Sequence, residues 1–587
     1  MAVEKDLVIQ VLNEIAVLLD LKGENPFKGR AYSVAARALD LSTEPWDKLI
    51  APERLAEVDG VGEAIAKKVQ ELVTTGKLRY YEELKASVPP GLIDMLRIPG
   101  LGPKKIKVLH EKLGITTVDE LEQACTAGRV AHLAGFGEKT QANICAGIQR
   151  RRSYADRHLL LHAWLLAEPI LEALRSHPDV VRASTAGSLR RCREVVGDLD
   201  FLISSRRPGA VIDYFTSLPG ILSVQAKGET KASVVLEGGV QADLRVVSDI
   251  EFPFALLYFT GSKEHNIVMR QRSIERGLRL NEYGLFRSSE ETRDPKLRLN
   301  CRSEEEVFSE LGLAYIPPEL REDMGEFAVA ARGETPRLIE WSDLKGSLHN
   351  HSTWSDGNHT LDEIVAHMRE LGCSYWAITD HSKTSWQANG LEIERLQQQL
   401  AEIRAINRRL EDEGAEFQLL TGAEVDILVA CQLDFADEVL AQLDVVVASV
   451  HQSFTQSEAE MTKRLIAAAQ NRYVHILGHP TGRLLLEREP CKVNLPAVID
   501  ACAETGTWIE LNCSPYRFDM DWRFWPLARS KGVKCVINPD AHRNEHAGYL
   551  RLGASIARKG GLTREDVINT LPLPALLTAL QQKRSRA

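Results

Sequence analysis

Residues 187–200 read Gly187-Ser188-Leu189-Arg190-Arg191-Cys192-Arg193-Glu194-Val195-Val196-Gly197-Asp198-Leu199-Asp200. In an extended strand side chains alternate faces, so Asp198 and Asp200 point one way while Leu199 and Phe201 point the other. Two carboxylates on one face make a divalent-metal site. Upstream, Gly187-Ser188 supplies a small turn whose N–H groups and hydroxyl can cradle a phosphate, and Arg190, Arg191 and Arg193 supply positive charge. Metal, phosphate and arginine converge as in a metal-dependent phosphoryl-transfer centre. A solvated strand end beside a basic loop has the same local pattern, and a third carboxylate decides between the two.

The chain has 587 residues, too many for one core, and a prior of one domain per roughly 150 residues implies about three or four units. Its ten cysteines form no C-x-x-C pair, which excludes a disulfide framework and a cysteine-based zinc module and fits a reducing cytoplasm. No basic-then-apolar signal pattern opens the sequence and no apolar run approaches membrane-spanning length, so a soluble, unexported protein is expected. The net charge of −10 argues at first sight against a nucleic-acid partner. It is unevenly placed, however: residues 1–150 carry 20 Lys+Arg against 21 Asp+Glu, residues 151–317 carry 23 against 23, and residues 318–587 carry 29 against 38. Local basic clusters such as Lys104-Lys105-x-Lys107 and Arg150-Arg151-Arg152 remain able to touch phosphates, and the acidic C-terminal part suits metal ligands.

The apolar spacing predicts helices over 4–22 and 31–39. Then a pattern recurs. Val58-Asp59-Gly60-Val61-Gly62 opens a helix over 63–73, Ile98-Pro99-Gly100-Leu101-Gly102 one over 103–113, and Leu133-Ala134-Gly135-Phe136-Gly137 one over 138–149. Three copies of hydrophobic-x-G-h-G before a helix form an internal repeat, in which the glycines permit a tight turn and the helix N-terminus presents free N–H groups to a backbone phosphate. The repeat resembles helix-hairpin-helix motifs, which grip the DNA backbone without reading sequence. That resemblance makes Gly60, Gly62, Gly100, Gly102, Gly135 and Gly137 candidate DNA-binding residues. Lys68 stands in the helix after the first hairpin, within GVGEAIAKKV and before Thr75-Gly76-Lys77-Leu78-Arg79. In polymerase beta-like proteins a lysine at the matching place attacks an abasic sugar as a Schiff-base nucleophile, and an exposed helix lysine is the alternative.

Beyond the opening stretch, 232–236, the turn Glu237-Gly238-Gly239 and 240–247 read as a β-hairpin whose returning strand places Asp243 on one face with Gln241 and Arg245. This third carboxylate completes the minimum for two divalent ions about 4 Å apart across an in-line displacement. Tyr258-Phe259-Thr260-Gly261-Ser262-Lys263-Glu264-His265-Asn266 then leads into a helix carrying Met269-Arg270. GSLRR, GDLD with its Asp198 ten residues after Ser188, ADLR and YFTGSxxxNxxxR resemble, in order and spacing, the motifs of family X DNA polymerases. The resemblance implies that Asp198 and Asp200 bind both metals, that Asp243 binds the catalytic metal and helps activate the primer 3′-hydroxyl, and that Ser188, Arg191 and Gly197 hold the triphosphate. Tyr258, Phe259 and Gly261 would line the sugar pocket, with Asn266 and Arg270 facing the base and the template minor groove. Core packing is the alternative for Tyr258 and Phe259. Two positions depart from the polymerase beta branch: Gln241 where that branch has an arginine, and Lys263 where it has an aspartate.

An ill-patterned Glu- and Arg-rich stretch to Trp341 reads as a linker. After it come His349-x-His351, Asp356, Asp380-His381, Glu424, His451, His479 and Asp540-x-His542, nearly every one closing a short apolar strand, with helical stretches between. That order implies an α/β barrel with its chemistry at the carboxyl ends of the strands. The pattern resembles the PHP domain, a distorted (βα)7 barrel, and the resemblance makes His349, His351, Asp356, His381, Glu424, His451, His479, Asp540 and His542 the ligands of up to three ions. Imidazole and carboxylate donors suit zinc, manganese or iron.

The expected architecture is a multidomain α/β protein: an N-terminal helical domain with the first hairpin (1–88), a second helix-hairpin-helix domain (89–153), a nucleotidyltransferase α+β palm (154–250), a nucleotide-selecting thumb (251–317), a linker (318–341) and a PHP barrel (342–587). The resemblance implies a bacterial, cytoplasmic, monomeric DNA repair polymerase that fills short gaps from dNTPs, with Mg2+ or Mn2+ at the polymerase site. Its barrel, holding two or three Mn2+, Zn2+ or Fe ions, would act as a 3′-5′ exonuclease and abasic endonuclease. The competing readings are a barrel that acts as a small-molecule phosphatase or pyrophosphatase or is merely structural, and a DNA-binding scaffold whose centres have decayed.

Overall fold

The structure is a computed structural model that describes every residue except 1–4, 43–45, 52–53, 97, 99, 155, 289–292 and 586–587. Glu4, at the start of the first expected helix, and Pro99, in the second glycine motif, lie outside the described residues. The chain divides into two compact units, 1–155 and 156–587.

The first unit is helical around a core that includes Leu12, Ile15, Leu39, Val69, Ile106, Leu109, Leu121 and Ile148. Its three glycine motifs share one turn. Val61 N donates to Val58 O, Leu101 N to Ile98 O and Phe136 N to Leu133 O, at 2.9–3.1 Å. The first glycine of each motif is left-handed, with φ of 92° at Gly60, 83° at Gly100 and 85° at Gly135, a conformation that costs a Cβ-bearing residue about 1–2 kcal/mol. Burial of Val61, Leu101 and Phe136 between the paired glycines anchors each turn to the core. The helices that follow are Glu63–Thr75, Pro103–Leu113 and Gly137–Tyr154.

The second unit begins with a five-stranded sheet built from β1 (Val180–Thr185), β2 (Asp198–Ser205), β3 (Ile221–Lys227), β4 (Lys231–Leu236) and β5 (Gln241–Val247) in the order β1-β2-β5-β4-β3. Only β2 and β5 are parallel, and their register sets Asp200 opposite Asp243 and Asp198 opposite Gln241. The alternate residues Leu199, Phe201, Ile203, Ala242 and Leu244 share a core with Leu160, Leu174, Val211 and Phe215 of the helices Leu160–Ser176 and Pro208–Phe215. One face of the sheet is thus committed to packing, which fixes the carboxylates on the other. Helices Phe252–Thr260, Lys263–Glu275 and Glu304–Glu310 follow, sharing a core of Phe254, Leu257, Met269, Val307, Phe308 and Leu311.

Seven further strands, β6 (Gly346–Ser347), β7 (Tyr375–Ile378), β8 (Gln418–Asp426), β9 (Val445–Ser449), β10 (Ile476–Leu477), β11 (Trp508–Asn512) and β12 (Cys535–Asn538), pair in parallel in chain order. The ring nearly closes: Leu348 N donates to Asn538 Oδ1 at 2.9 Å, and Asn350 bridges to Ala541. Tyr375, Ala377, Val445, Val447 and Ile476 fill the interior together with Leu576 and Leu580 of the C-terminal helix Leu573–Ser585. No helix among the described residues is long and apolar enough to cross a membrane.

The stretch 318–341, expected as a linker, is folded. It carries the helix Glu326–Ala331 and buries Arg321, Leu338 and Ile339. Several of its charges are paired with neighbouring elements in buried or half-buried places: Arg321 Nη1 donates to Glu304 Oε1 at 2.6 Å, Arg558 Nε to Glu319 Oε1 at 2.7 Å, and His265 Nδ1 lies 2.9 Å from Glu326 Oε1.

Candidate active sites

The β2–β5 register gathers Asp198, Asp200 and Asp243 on the open face of the sheet, beside a cavity of about 220 Å3 lined by Ala186, Lys231, Arg245 and Phe259 as well as Asp200 and Asp243. Burial, and then the Asp198 and Asp243 carboxylates, push Asp200 up to about 7. Burial and Asp243 likewise raise Asp198. Carboxylates that oppose one another's ionisation make a site that fits a divalent cation. Asp243 differs from its partners. Burial pushes its carboxyl up, but hydrogen bonds from Lys231, Ser233 and Gln241 outweigh this and hold it below its ordinary value. Lys231 Nζ lies 2.8 Å from Asp243 Oδ2, and Gln241 Nε2 donates to Oδ1 at 3.2 Å. The cation missing at position 241 therefore arrives from the neighbouring strand. Sequence reading overlooked Lys231, although extending the expected hairpin by one residue sets it opposite Arg245 and one alternate position from Asp243.

Gly187-Ser188 forms the first turn of a four-residue helix, Gly187–Arg190, rather than an open turn. Gly187 has φ of 58°, and a Cβ there would stand 2.0 Å from Asp200 Oδ2, so a glycine is required for the loop to approach the carboxylates. Arg190 is bidentate to Glu304, with Nη2–Oε2 at 2.6 Å. Arg191 donates from Nε to Glu322 Oε1 at 3.0 Å and from Nη1 to the Thr260 carbonyl at 2.7 Å. Ser188 and Gly197 are half-buried at the two ends of this loop. Tyr258 and Phe259 meet edge to face at 5.1 Å, and Arg245 stacks 4.5 Å from the Phe259 ring. Asn266 Nδ2 donates to Tyr258 O at 2.7 Å, and a Cβ at Gly261 would press against Asn266 Oδ1 at 2.8 Å. Arg270 is exposed one helical turn beyond Asn266.

In the barrel all nine expected residues come together. They fall into four overlapping groups whose ligand atoms lie within 4.8 Å of one another: His351, Asp356, His381 and His542; His349, His351 and Asp540; His349, Glu424 and His479; His381, Glu424 and His451. Glu424 is the hub, with Oε1 2.9 Å from His479 Nε2 and 3.2 Å from His451 Nε2, and Oε2 2.8 Å from His381 Nδ1. It lies two residues inside the end of β8, and His479 and Asp540 hold positive φ of 25° and 53°, so some ligands are aimed by backbone strain. Burial opposes the charge on Glu424, yet His451, His381 and His349 hold its carboxyl well below its ordinary range. Buried His349 Nε2, His351 Nδ1 and His479 Nδ1 make no hydrogen bond, and the 2.8 Å contact between His381 Nδ1 and Glu424 Oε2 lacks hydrogen-bond geometry. Orphaned nitrogens and a carboxylate oxygen converging in one buried cluster fit bound cations of zinc, manganese or iron type.

Behind these residues stand further acids: Asp380, already marked by the sequence beside His381, and Glu510 and Asp426, which sequence reading did not single out. Glu510 on β11 is 2.7 Å from His349 Nδ1 and accepts the His479 N–H at 2.7 Å. Asp426 Oδ1 is 3.0 Å from His451 Nδ1. Asp380 accepts from Ser352 N, Ser352 Oγ and Gln399 Nε2. Such partners fix ring orientation and tautomer. Their positions at or beside strand ends were the available signal.

In the first unit Lys68 Nζ is exposed, donates to Ala64 O at 3.2 Å and lies 4.9 Å from the Tyr80 ring centre and 5.8 Å from that of Tyr32. Tyr32 and Tyr80 stack at 6.2 Å, with Lys28 Nζ 5.8 Å from Tyr80.

Family models match at four places: a helix-hairpin-helix domain over 3–78, a SAM-like helix-hairpin-helix tandem over 92–150, a DNA polymerase beta thumb over 255–322 and a PHP domain over 347–512. The DNA polymerase/3′-5′ exonuclease PolX of Bacillus subtilis (strain 168) is 40% identical over 568 residues, covering 96% of this chain and 97% of that protein. A probable phosphatase of Thermoanaerobacter sp. (strain X514) is 26% identical over 240 residues, 39% of this chain and 91% of its own. The crystal structure of Leishmania infantum polymerase beta in a ternary P/T complex matches 40% of this chain and 99% of its own at 25% identity, with a TM-score of 0.26. With its helix-hairpin-helix modules, beta-type thumb, PHP barrel and end-to-end similarity to the Bacillus protein, the chain belongs to the PolX family, the family X DNA polymerases that carry a C-terminal PHP domain.

Proposed function

We propose that this chain is a DNA-directed DNA polymerase that fills short gaps in DNA repair, and that its barrel is a metal-dependent 3′-5′ exonuclease which also incises abasic sites. The observation that carries the reading is the meeting of Asp198, Asp200 and Asp243 beside Arg191 and the Tyr258–Arg270 segment, in a chain 40% identical to a named polymerase/exonuclease. Mg2+ or Mn2+ bound between Asp198, Asp200 and Asp243 would supply the positive charge that a transferring phosphoryl group needs. Asp243, kept ionised by Lys231, accepts the proton of the primer 3′-hydroxyl. Ser188, Arg191 and Gly197 bind the triphosphate, Tyr258, Phe259 and Gly261 enclose the sugar, and Asn266 and Arg270 face the base pair. In the barrel the nine clustered residues would hold two or three ions, which would supply the charge that activates water against a phosphodiester.

The glycine motifs hold the gapped duplex by its backbone. Gly62 and Gly102 have ordinary negative φ, and a Cβ on either would meet nothing within 4 Å. Neither backbone conformation nor internal packing demands glycine there, and close approach of a phosphate does. Lys68, framed by Tyr32, Tyr80 and Lys28, is the nucleophile of an abasic lyase site. In this reading the domains are 1–88, 89–153, 154–250, 251–317 and 342–587, and the working form is a cytoplasmic monomer.

Gap filling on a one-nucleotide gap tests the polymerase centre: Asp198→Ala/Asp200→Ala abolishes insertion, and persistence of insertion overturns the assignment. Release of nucleotides from a 3′-labelled strand tests the barrel, with loss expected in His349→Ala/His351→Ala. A second reading, a barrel that hydrolyses small phosphoesters, is favoured by the 26% identity to a probable phosphatase. It requires phosphate release from mononucleotides with the labelled strand left intact.

A further inference from the structure

The loop that would grip the triphosphate is bolted to the barrel. Lys559, the last residue of the helix Tyr549–Lys559, is 2% exposed. Its three ammonium protons go to Glu322 Oε1 at 2.7 Å, the Arg191 carbonyl at 2.9 Å and the Glu319 carbonyl at 3.2 Å. The same Glu322 accepts from Arg191 Nε at 3.0 Å and from Arg193 Nη1 at 3.4 Å. Three residues along, the buried Glu194 carboxylate accepts from Trp522 Nε1 and Arg523 Nη1 of the barrel, each at 2.9 Å. One buried carboxylate therefore serves three cations, and two of those contacts decide where the Arg191 guanidinium and carbonyl sit.

We infer that Lys559 is a positioning residue for the polymerase site: by sharing Glu322 and holding the Arg191 carbonyl, it presents Arg191 to the triphosphate of the incoming nucleotide. The inference rests on the polymerase reading above. Without the lysine charge, Glu322 divides its negative charge between Arg191 and Arg193 alone, and in this desolvated place each arginine is drawn more strongly to it. Arg191 is then held back from phosphate, while its backbone loses an anchor. The carboxylate remains paired, so the fold survives the change. The helix that carries Lys559 follows the barrel residues Asp540 and His542 through the turn Asn544–Gly548, so the element that ends at the nucleotide loop begins at the hydrolytic cluster.

The test measures binding of dTTP to the full chain on a one-nucleotide-gapped duplex with templating adenine and a dideoxy-terminated primer, alongside gap-filling kinetics. In K559M the dTTP Kd and KM rise about tenfold while kcat changes less than about threefold, the split expected when nucleotide binding rather than chemistry is lost. Adding E322Q to K559M removes the anion that restrains Arg191 and restores Kd to within about threefold of wild type, and E322Q alone binds dTTP at least as tightly as wild type. A merely structural lysine gives no such rescue. The inference falls if K559M, with an unchanged circular dichroism spectrum, binds dTTP like wild type, or if E322Q does not restore the loss. Should K559M fail to fold, weaker dTTP binding in E322Q overturns it. A wild-type chain that binds no nucleotide on gapped DNA overturns the polymerase reading and this inference together.

Discussion

Lys231 Nζ stands 2.8 Å from Asp243 Oδ2, so the carboxylate assigned to the primer hydroxyl has a counter-ion on the adjacent strand. The contact offsets part of the repulsion that raises Asp198 and Asp200. In Lys231→Met the triad loses that offset. The lysine is 46% exposed, so the attraction is screened and contributes at most about 1 kcal/mol, or about 1 °C in melting temperature for a unit of this size without divalent ions. Mg2+ at millimolar concentration should narrow the gap between variant and wild type, because the ion replaces the missing charge. Thermal melts with and without Mg2+ check this.

Acid should weaken the second unit through two buried carboxylates. Burial pushes both up, but Arg321 and Arg190 hold Glu304 at about 2, and Arg523 holds Glu194 at about 2, each below the ordinary 4.5. A lowered carboxyl stabilises the fold fully above its unfolded pKa and loses that contribution as pH falls through its folded pKa. The window here is pH 4.5 down to 2, with roughly 3 kcal/mol at stake for each group. Glu304→Gln is expected to be less stable at pH 7 and to lose less between pH 4.5 and 2. Urea midpoints followed by tryptophan fluorescence across that range would show it.

Glu510 fixes His349 from the side away from the cluster, at 2.7 Å from Nδ1. Glu510→Gln keeps the shape but removes the charge that selects the tautomer leaving Nε2 as a ligand. Barrel metal affinity should fall about 10–100-fold. Metal content after dialysis and 3′-end release should drop together while gap filling is retained. Unchanged metal content would show that Glu510 only packs.

The elements that strand and helix periodicity governs were legible in the residues. Asp198 and Asp200 alternate with Leu199 and Phe201 because one face of β2 is core, and the barrel residues could be read because most of them stand at or beside the end of a short β-run. Charge partnership was not legible. Glu322 and Lys559 are 237 residues apart and Glu304 and Arg190 are 114 apart, and no local pattern marks which of many Glu and Arg residues will be buried together. For that reason 318–341 reads as a linker although Glu319, Arg321, Glu322 and Glu326 are the partners of neighbouring elements. Lys231 was missed for a smaller reason, since one more residue of β4 would have set it beside Asp243.

Gly102 separates folding from DNA binding. Its φ of −86° suits any residue, it is the N-cap of Pro103–Leu113, and a Cβ there meets nothing within 4 Å. Serine is a better N-cap than glycine and loses less chain entropy on folding, so Gly102→Ser should leave melting unchanged or raise stability by a few tenths of a kcal/mol. Gly100 is the contrast, since its φ of 83° makes Gly100→Ala destabilising by about 1–2 kcal/mol. If the hairpin N-terminus meets a DNA phosphate, the added side chain in Gly102→Ser stands between phosphate and N–H groups. Affinity for a gapped duplex then drops several-fold with no change in sequence preference, as fluorescence anisotropy at fixed salt would record. A Gly102→Ser protein that binds like wild type would place the DNA elsewhere, because nothing inside the folded chain requires glycine at that position.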